Sequence, residues 1–105
     1  MIDLSGKHLY PGMIDPVTGL GTVEIGGAPA AADNEEIGRY NPHVRAITSV
    51  HPHAETIPVA RANGITAVLV SLSPGQRTII PCTGSVMQLN GDTQERMTIS
   101  DRAAL

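Results

Sequence analysis

The chain contains one His-x-His pattern, His51-Pro52-His53, and imidazoles at such spacing are common metal ligands. The surrounding residues predict the start of a helix, where side chains two positions apart diverge by about 200° of rotation. The pair would also supply two ligands where zinc usually takes three or four from protein. His43 could join only if the loop between them folded back. We therefore interpret His51 and His53 as a helix-capping or solvent-facing pair.

Cys82 is the single cysteine, so no intrachain disulfide can form. A catalytic thiol needs a base beside it, and no neighbouring pattern supplies one. We interpret Cys82 as a small buried hydrophobic residue. The serines Ser71, Ser73 and Ser85 lie outside any Gly-x-Ser-x-Gly context, so no serine hydrolase elbow is predicted.

Glycines are frequent between residues 19 and 38, but they form no nucleotide-binding motif. Gly19-Leu20-Gly21 and Gly26-Gly27 do not fit G-x-G-x-x-G and are not followed by a predicted helix, so no phosphate cradle is expected. The acidic residues in the same stretch are interpreted as a solvated loop; they are Asp33, Glu35 and Glu36.

Composition restricts the partners and the compartment. Lys and Arg total 7 against 10 Asp and Glu, a formal net charge of −3, which argues against a surface that follows phosphates. Only Tyr10 and Tyr40 are aromatic, which argues against stacking on single-stranded nucleic acid. No signal-like segment and no run of about 18 apolar residues is present. We therefore expect a cytoplasmic protein with no nucleic-acid and no membrane partner.

The elements that position these residues follow an α/β order, because the aliphatic β-branched residues favour buried strands. A hairpin is predicted in the first twelve residues, turning at Ser5-Gly6-Lys7. Met13-Ile14 begins the next apolar run. Residues 16–40 are predicted to be irregular, apart from a short strand over 23–25.

Helices are expected from Asn41-Pro42 and over about residues 53–63, where Pro58 should bend the helix or displace its start. Asn63-Gly64 predicts the end of that helix. The apolar run 65–70 predicts a parallel strand covered on both faces. With Met13-Ile14 as the first strand, this is a βαβ unit with a right-handed crossover.

The last third of the chain predicts shorter elements. Strands are expected over 78–80 and 86–89, and Asn90-Gly91 is typical of a tight turn. Residues 92–105 are predicted to end the chain as one short helix or strand.

Two strings in the sequence carry a family resemblance. Residues 3–15 read DLSGKHLYPGMID, and residues 57–70 read IPVARANGITAVLV. Both resemble the metal-dependent amidohydrolase superfamily, in its imidazolonepropionase-like group, and the likeness extends more weakly over residues 84–91 and the tail. The resemblance implies a strand of the small β-sandwich domain that leads into the first βαβ unit of a (β/α) barrel. It covers only an early portion of a full-length member.

The chain departs from the family at the metal site. In the family, Pro-Gly-x-Ile-Asp is followed by His-x-His, whose imidazoles point to one face of a strand and hold a metal that activates water. The matching positions here are Val17 and Gly19, and neither side chain can ligate. The family's remaining ligands belong to later barrel strands. Asp15 alone is kept, and we interpret it as a strand-end or turn carboxylate.

Three functions stay open after this comparison. The first is an amidohydrolase-like fragment or degenerate homologue, without hydrolase activity alone and with no catalytic, cofactor or metal residues. The second is a small homo-oligomeric binding or assembly module. The third is a metal-dependent C–N hydrolase whose zinc is held between chains by His51 and His53.

The expected division of the single partial domain is 1–12 for sandwich-type strands, 13–91 for the barrel-like unit and 92–105 for the tail. An open barrel fragment leaves strand edges and apolar faces without partners. We therefore expect self-association or a partner chain. The residues expected to be buried at such an interface are Val68, Leu69, Val70 and Ile79.

Overall fold

A computed structural model describes residues 2–24 and 28–105 of the chain. Its centre is a four-stranded sheet whose strands lie side by side in chain order: β1 (Met13–Thr18), β2 (Ile65–Val70), β3 (Gly84–Gln88) and β4 (Thr98–Ala104). β1 and β2 are parallel, whereas β2–β3 and β3–β4 are antiparallel. The mixed α/β class with a partial barrel-like βαβ unit is therefore confirmed.

The βαβ unit contains helix α1 (Thr56–Ala62) between β1 and β2. Pro58 is its third residue, in the first turn, where a backbone N–H has no intrahelical acceptor. The proline thus displaces the helix start instead of bending the helix. Gly64 follows with a φ of +89°, a conformation that favours glycine, and ends the helix before β2 as predicted.

β1 is an edge strand, and its pairing with β2 is irregular. The register shifts between Asp15 and Thr18, around Pro16, which has no N–H to donate. Pairing resumes at Thr18, opposite Val70, and the Ser71 N–H donates to the Thr18 carbonyl at 2.9 Å. The carboxyl ends of β1 and β2 therefore lie side by side.

The prediction of a helix that begins at Asn41-Pro42 is wrong. The Asn41 N–H donates to the Ile80 carbonyl at 2.9 Å, and isolated parallel bridges join Tyr40 to Ile80 and Arg45 to Thr83. Between these pairings the chain makes a turn at Pro42-His43, closed by the Val44 N–H on the Asn41 carbonyl at 3.1 Å, and only a short 3₁₀ helix, Ala46–Ser49, follows. The same contacts leave residues 78–80 with a single bridge where a strand was predicted.

The two ends of the chain also differ in detail from the prediction. Residues 2–12 contain a turn, closed by the Lys7 N–H on the Leu4 carbonyl at 2.9 Å, but no paired strand. The tail forms both a helix, α2 (Gln94–Met97), and a strand, β4, where one element was expected. Val23 makes a single bridge with Ala32, Glu24 lies in a bend, and Ile25 of the predicted strand lies outside the described residues.

The core lies on one face of the sheet. Val68, Val70 and Met87 have no exposed surface and pack with α1 and the 3₁₀ helix. The other face is less covered, since Leu69 and Val86 are only partly buried. The prediction that β2 is covered on both faces therefore holds in full only for the face of Val68 and Val70, because Leu69 on the second face keeps part of its surface exposed. No helix among the described residues is long and apolar enough to cross a bilayer.

The remaining core residues complete one cluster. They are Ala46, Ile47, Val50, Ala54, Ile57, Leu72, Cys82, Leu89 and Met97.

Candidate functional site

The carboxyl ends of the parallel strands β1 and β2 form the candidate site, since ligands of α/β folds bind outside these ends. Asp15 and Val17 belong to β1, and Gly19 follows it directly. Ser71 follows β2 and is held beside Thr18 by the hydrogen bond described above. The positions that the family resemblance singles out, Asp15, Val17 and Gly19, therefore lie at the end of β1, next to the end of β2.

The side chains at these positions make few polar contacts. The Asp15 carboxylate is half-buried and accepts a long hydrogen bond, 3.4 Å, from the Val17 N–H. Val17 is exposed and carries no donor atom. Gly19 supplies only its carbonyl, which accepts from the Thr22 hydroxyl at 2.8 Å and the Thr22 N–H at 3.1 Å. Asp15 is thus the one ligating side chain of the three.

The turn after β1 also leaves little room for a larger residue at position 19. A Cβ atom added to Gly19 would lie 3.3 Å from the Thr22 hydroxyl oxygen, which closes the turn. A histidine there would require that hydroxyl to move by a few tenths of an ångström. The residues at this strand end do not fit a divalent metal, because one carboxylate is short of the three protein ligands that a catalytic zinc needs.

His51 and His53 lie in the turn that precedes α1, away from the strand positions of the family motif. His51 is half-buried, and its backbone N–H donates to the Gly21 carbonyl at 2.8 Å, so it anchors the loop after β1. His53 is exposed. The residue before α1 is Glu55, so neither histidine caps the helix. Within residues 2–24 and 28–105, no group of three or more His, Cys, Asp or Glu could hold a metal.

Cys82 is buried, as predicted. Its sulfur accepts from the Leu72 N–H at 3.3 Å and lies 3.7 Å from the Ser71 hydroxyl oxygen. Neither neighbour is a base that could activate a thiol. Ser85 is likewise structural, since its buried hydroxyl donates to the Asp101 carbonyl at 3.0 Å and accepts from the Ile47 N–H at 3.2 Å.

A groove of about 370 Å³ opens beside the strand ends, and we call it the strand-end groove. Its walls are mostly apolar and come from four parts of the chain that are far apart in sequence. They are Val17 of β1, Leu69 and Ser71 of β2 and its end, Ile79–Cys82 with Gly84, and Ala104 with Leu105. Sequence reasoning missed the groove because its walls come from segments that only the fold brings together, which no local pattern indicates.

The interface predicted from the sequence is only partly available. Val68 and Val70 are fully buried in the core of the chain itself, so they cannot line a contact with another chain. Leu69 is half-buried and Ile79 is exposed, and both line the strand-end groove. Alternation along β2 explains the split, because successive side chains point to opposite faces.

Comparisons with known proteins bear on the fold. No protein-family model and no curated protein matches the chain. A crystal structure of an amidohydrolase from Thermotoga maritima MSB8 is similar to it, with a TM-score of 0.87 and 29% sequence identity. The match covers 97% of this chain and 26% of that structure, so the chain spans about a quarter of its length. The chain therefore has the fold of part of an amidohydrolase.

Proposed function

We propose that this chain is an amidohydrolase-like segment that has no hydrolase activity on its own. The observation that carries the proposal is the contrast at the end of β1. The backbone follows an amidohydrolase over nearly the whole chain, while Val17 and Gly19 offer no metal ligand. Amide hydrolysis by such a fold needs a metal that lowers the pKa of bound water. The proposal includes no cofactor.

The resemblance implies amides, lactams, dipeptides and related C–N bonds as the substrate class of the family. The test is to incubate the chain with added zinc and a panel of these substrates. We expect no turnover above that of zinc alone. A His51→Ala, His53→Ala double variant is the matched control. Turnover that the wild type shows and the double variant lacks would instead support a zinc site assembled between chains.

A second proposed function is assembly through the strand-end groove, as a small homo-oligomeric module. The observation in its favour is the apolar wall of the groove, which includes Leu69 and the exposed Ile79. Exposed apolar surface of this kind is characteristic of interaction sites. It continues from the half-buried face of the sheet, so a second copy could cover both.

The test for assembly compares two exposed aliphatic positions. Ile79→Asp places a charge in the groove, whereas Val59→Asp places one on the outer surface of α1, at a similarly exposed position. We expect light scattering to show a discrete oligomer for the wild type and for Val59→Asp, and a folded monomer for Ile79→Asp. A monomeric wild type, or equal behaviour of the two variants, would contradict the proposal.

A further inference from the structure

The chain contains two Asn-Gly dipeptides, Asn63-Gly64 and Asn90-Gly91. In such a pair the backbone nitrogen of the glycine can attack the side-chain carbonyl carbon of the asparagine. Glycine permits the reaction because it has no Cβ to hinder the approach and its backbone is unusually free. Asparagine is accordingly among the chemically labile residues of proteins. The structure places the two pairs in opposite environments.

Asn63-Gly64 is held at the end of α1. The Asn63 side-chain amide donates to the Val59 carbonyl at 2.8 Å. The Gly64 N–H, which is the attacking group, donates to the Arg61 carbonyl at 3.0 Å. Both reacting groups must leave a hydrogen bond before they can meet.

Asn90-Gly91 lies in the turn between β3 and α2, where both residues are exposed. Within the part of the chain that the structure describes, the Asn90 side chain and the Gly91 N–H make no hydrogen bond to protein. They border an open surface cavity of about 520 Å³, which admits the water that the reaction consumes. Neither reacting group is restrained by a protein hydrogen bond.

We propose that Asn90 is a spontaneous deamidation site of the folded chain and that Asn63 is protected. The Gly91 nitrogen forms a bond to the Asn90 Cγ and loses its proton, while the Cγ–Nδ2 bond breaks and ammonia leaves. Water then opens the resulting cyclic imide at either carbonyl. One opening yields aspartate, and the other yields isoaspartate, with an additional methylene group in the main chain.

Either product alters a packed turn. The new carboxylate lies near Asp92, which already pairs with Arg96 at 3.2 Å, and makes the chain one unit more negative. The isoaspartyl product lengthens the backbone next to the fully buried Met97, against which Gly91 packs closely. A Cβ on Gly91 would lie 2.7 Å from Met97 Cγ, so replacing the glycine would perturb this packing. The test therefore varies Asn90.

The experiment incubates the full chain in mildly alkaline buffer, below its unfolding temperature, and follows both dipeptides by peptide mapping with mass spectrometry. We expect Asn90 to convert at least about tenfold faster than Asn63, because two hydrogen bonds must open at Asn63. In concentrated urea the two rates should become similar. Asn90→Gln should remove the modified peptide from the native sample.

Each outcome decides the proposal. Equal native rates, or faster conversion of Asn63, would overturn it. A rate difference that persists unchanged in urea would also overturn it, because the difference would then come from local sequence and not from the fold. Circular dichroism of Asn90→Gln checks that this variant keeps the native structure while the signal disappears.

Discussion

The two faces of the sheet differ in how deeply their side chains are buried, although β2 contributes side chains to both. Val68 and Val70 of β2 have no exposed surface, whereas Leu69 between them is only half-buried. All three are aliphatic, so residue type does not explain the difference. α1 and the 3₁₀ helix Ala46–Ser49 pack on the first face, whereas Leu69 on the second face borders the strand-end groove. An apolar run in this sequence therefore predicts that a strand forms, but not that both of its faces are buried.

The difference in burial between the two faces also bears on the proposed function. In a closed (β/α) barrel the helices lie outside, and the opposite face of the sheet lines a filled interior. The strand-end groove lies at the carboxyl edge of this sheet, bordered by Val17 and Leu69. The less covered face is thus the one that a larger fold would fill with side chains. This is why we propose assembly as the second function.

The largest expected effect is on the free energy of unfolding, measured for one side chain from each face of the sheet. Met87→Ala deletes a fully buried side chain and should lower the free energy of unfolding by about 2–5 kcal/mol. Leu69→Ala removes a side chain that keeps part of its surface in water, and should cost about 1 kcal/mol. Urea unfolding of both variants at low protein concentration measures the difference. Equal losses would mean that both faces are covered in solution.

The alkylation rate of Cys82 tests whether solvent reaches the core through the strand-end groove. The thiol borders the groove but is buried, so alkylation requires a local opening that costs a few kcal/mol. We expect iodoacetamide to label the folded chain at least about a hundredfold more slowly than the chain in urea. Mass spectrometry of timed samples gives both rates. Rapid labelling of the folded chain would show that the groove exposes the sulfur.

The smallest effect concerns residues 2–12, which contain a turn but no paired strand. Hydrogen bonds from the Ser5 hydroxyl, at 2.6 Å, and the Ser5 N–H, at 2.9 Å, lower the pKa of Asp3 below its usual value. The charged carboxylate therefore stabilises this turn above the usual carboxyl pKa, and the contribution is lost as the pH falls through the lowered value.

Ser5→Ala should raise the pKa of Asp3 toward its usual value, because the hydroxyl bond is the larger of the two causes. A pH titration of Asp3 followed by NMR measures the change, and the free energy of unfolding should stay nearly constant. An unchanged Asp3 pKa would mean that the turn does not persist in solution.

Local signals predicted the parts of the fold that local chemistry determines. The apolar run 65–70 and the Asn63-Gly64 stop predicted β2 and the end of α1, and both are confirmed. The burial of Cys82 was predicted from its residue type and confirmed. The family strings predicted a partial barrel unit, and the likeness to an amidohydrolase structure supports that fold.

Pairings between remote segments could not be predicted from the sequence. Asn41-Pro42 has the composition of a helix start, yet the segment makes only a turn between the bridges of Tyr40 to Ile80 and Arg45 to Thr83. The strand-end groove likewise needs Val17, Leu69 and Ile79 to lie near one another, which no local pattern predicts. The coverage of β2 was misjudged for a related reason, since an apolar run shows that a face needs cover but not whether this chain supplies it.

The central claim is the proposal that this amidohydrolase-like segment holds no catalytic metal, and assembly through the strand-end groove is the second proposal. Native mass spectrometry of the chain, purified without chelators and then supplied with zinc, measures subunit number and bound metal together. We predict a discrete oligomer without stoichiometric zinc. One zinc per chain or per pair of chains, lost in the His51→Ala, His53→Ala variant, would contradict the claim.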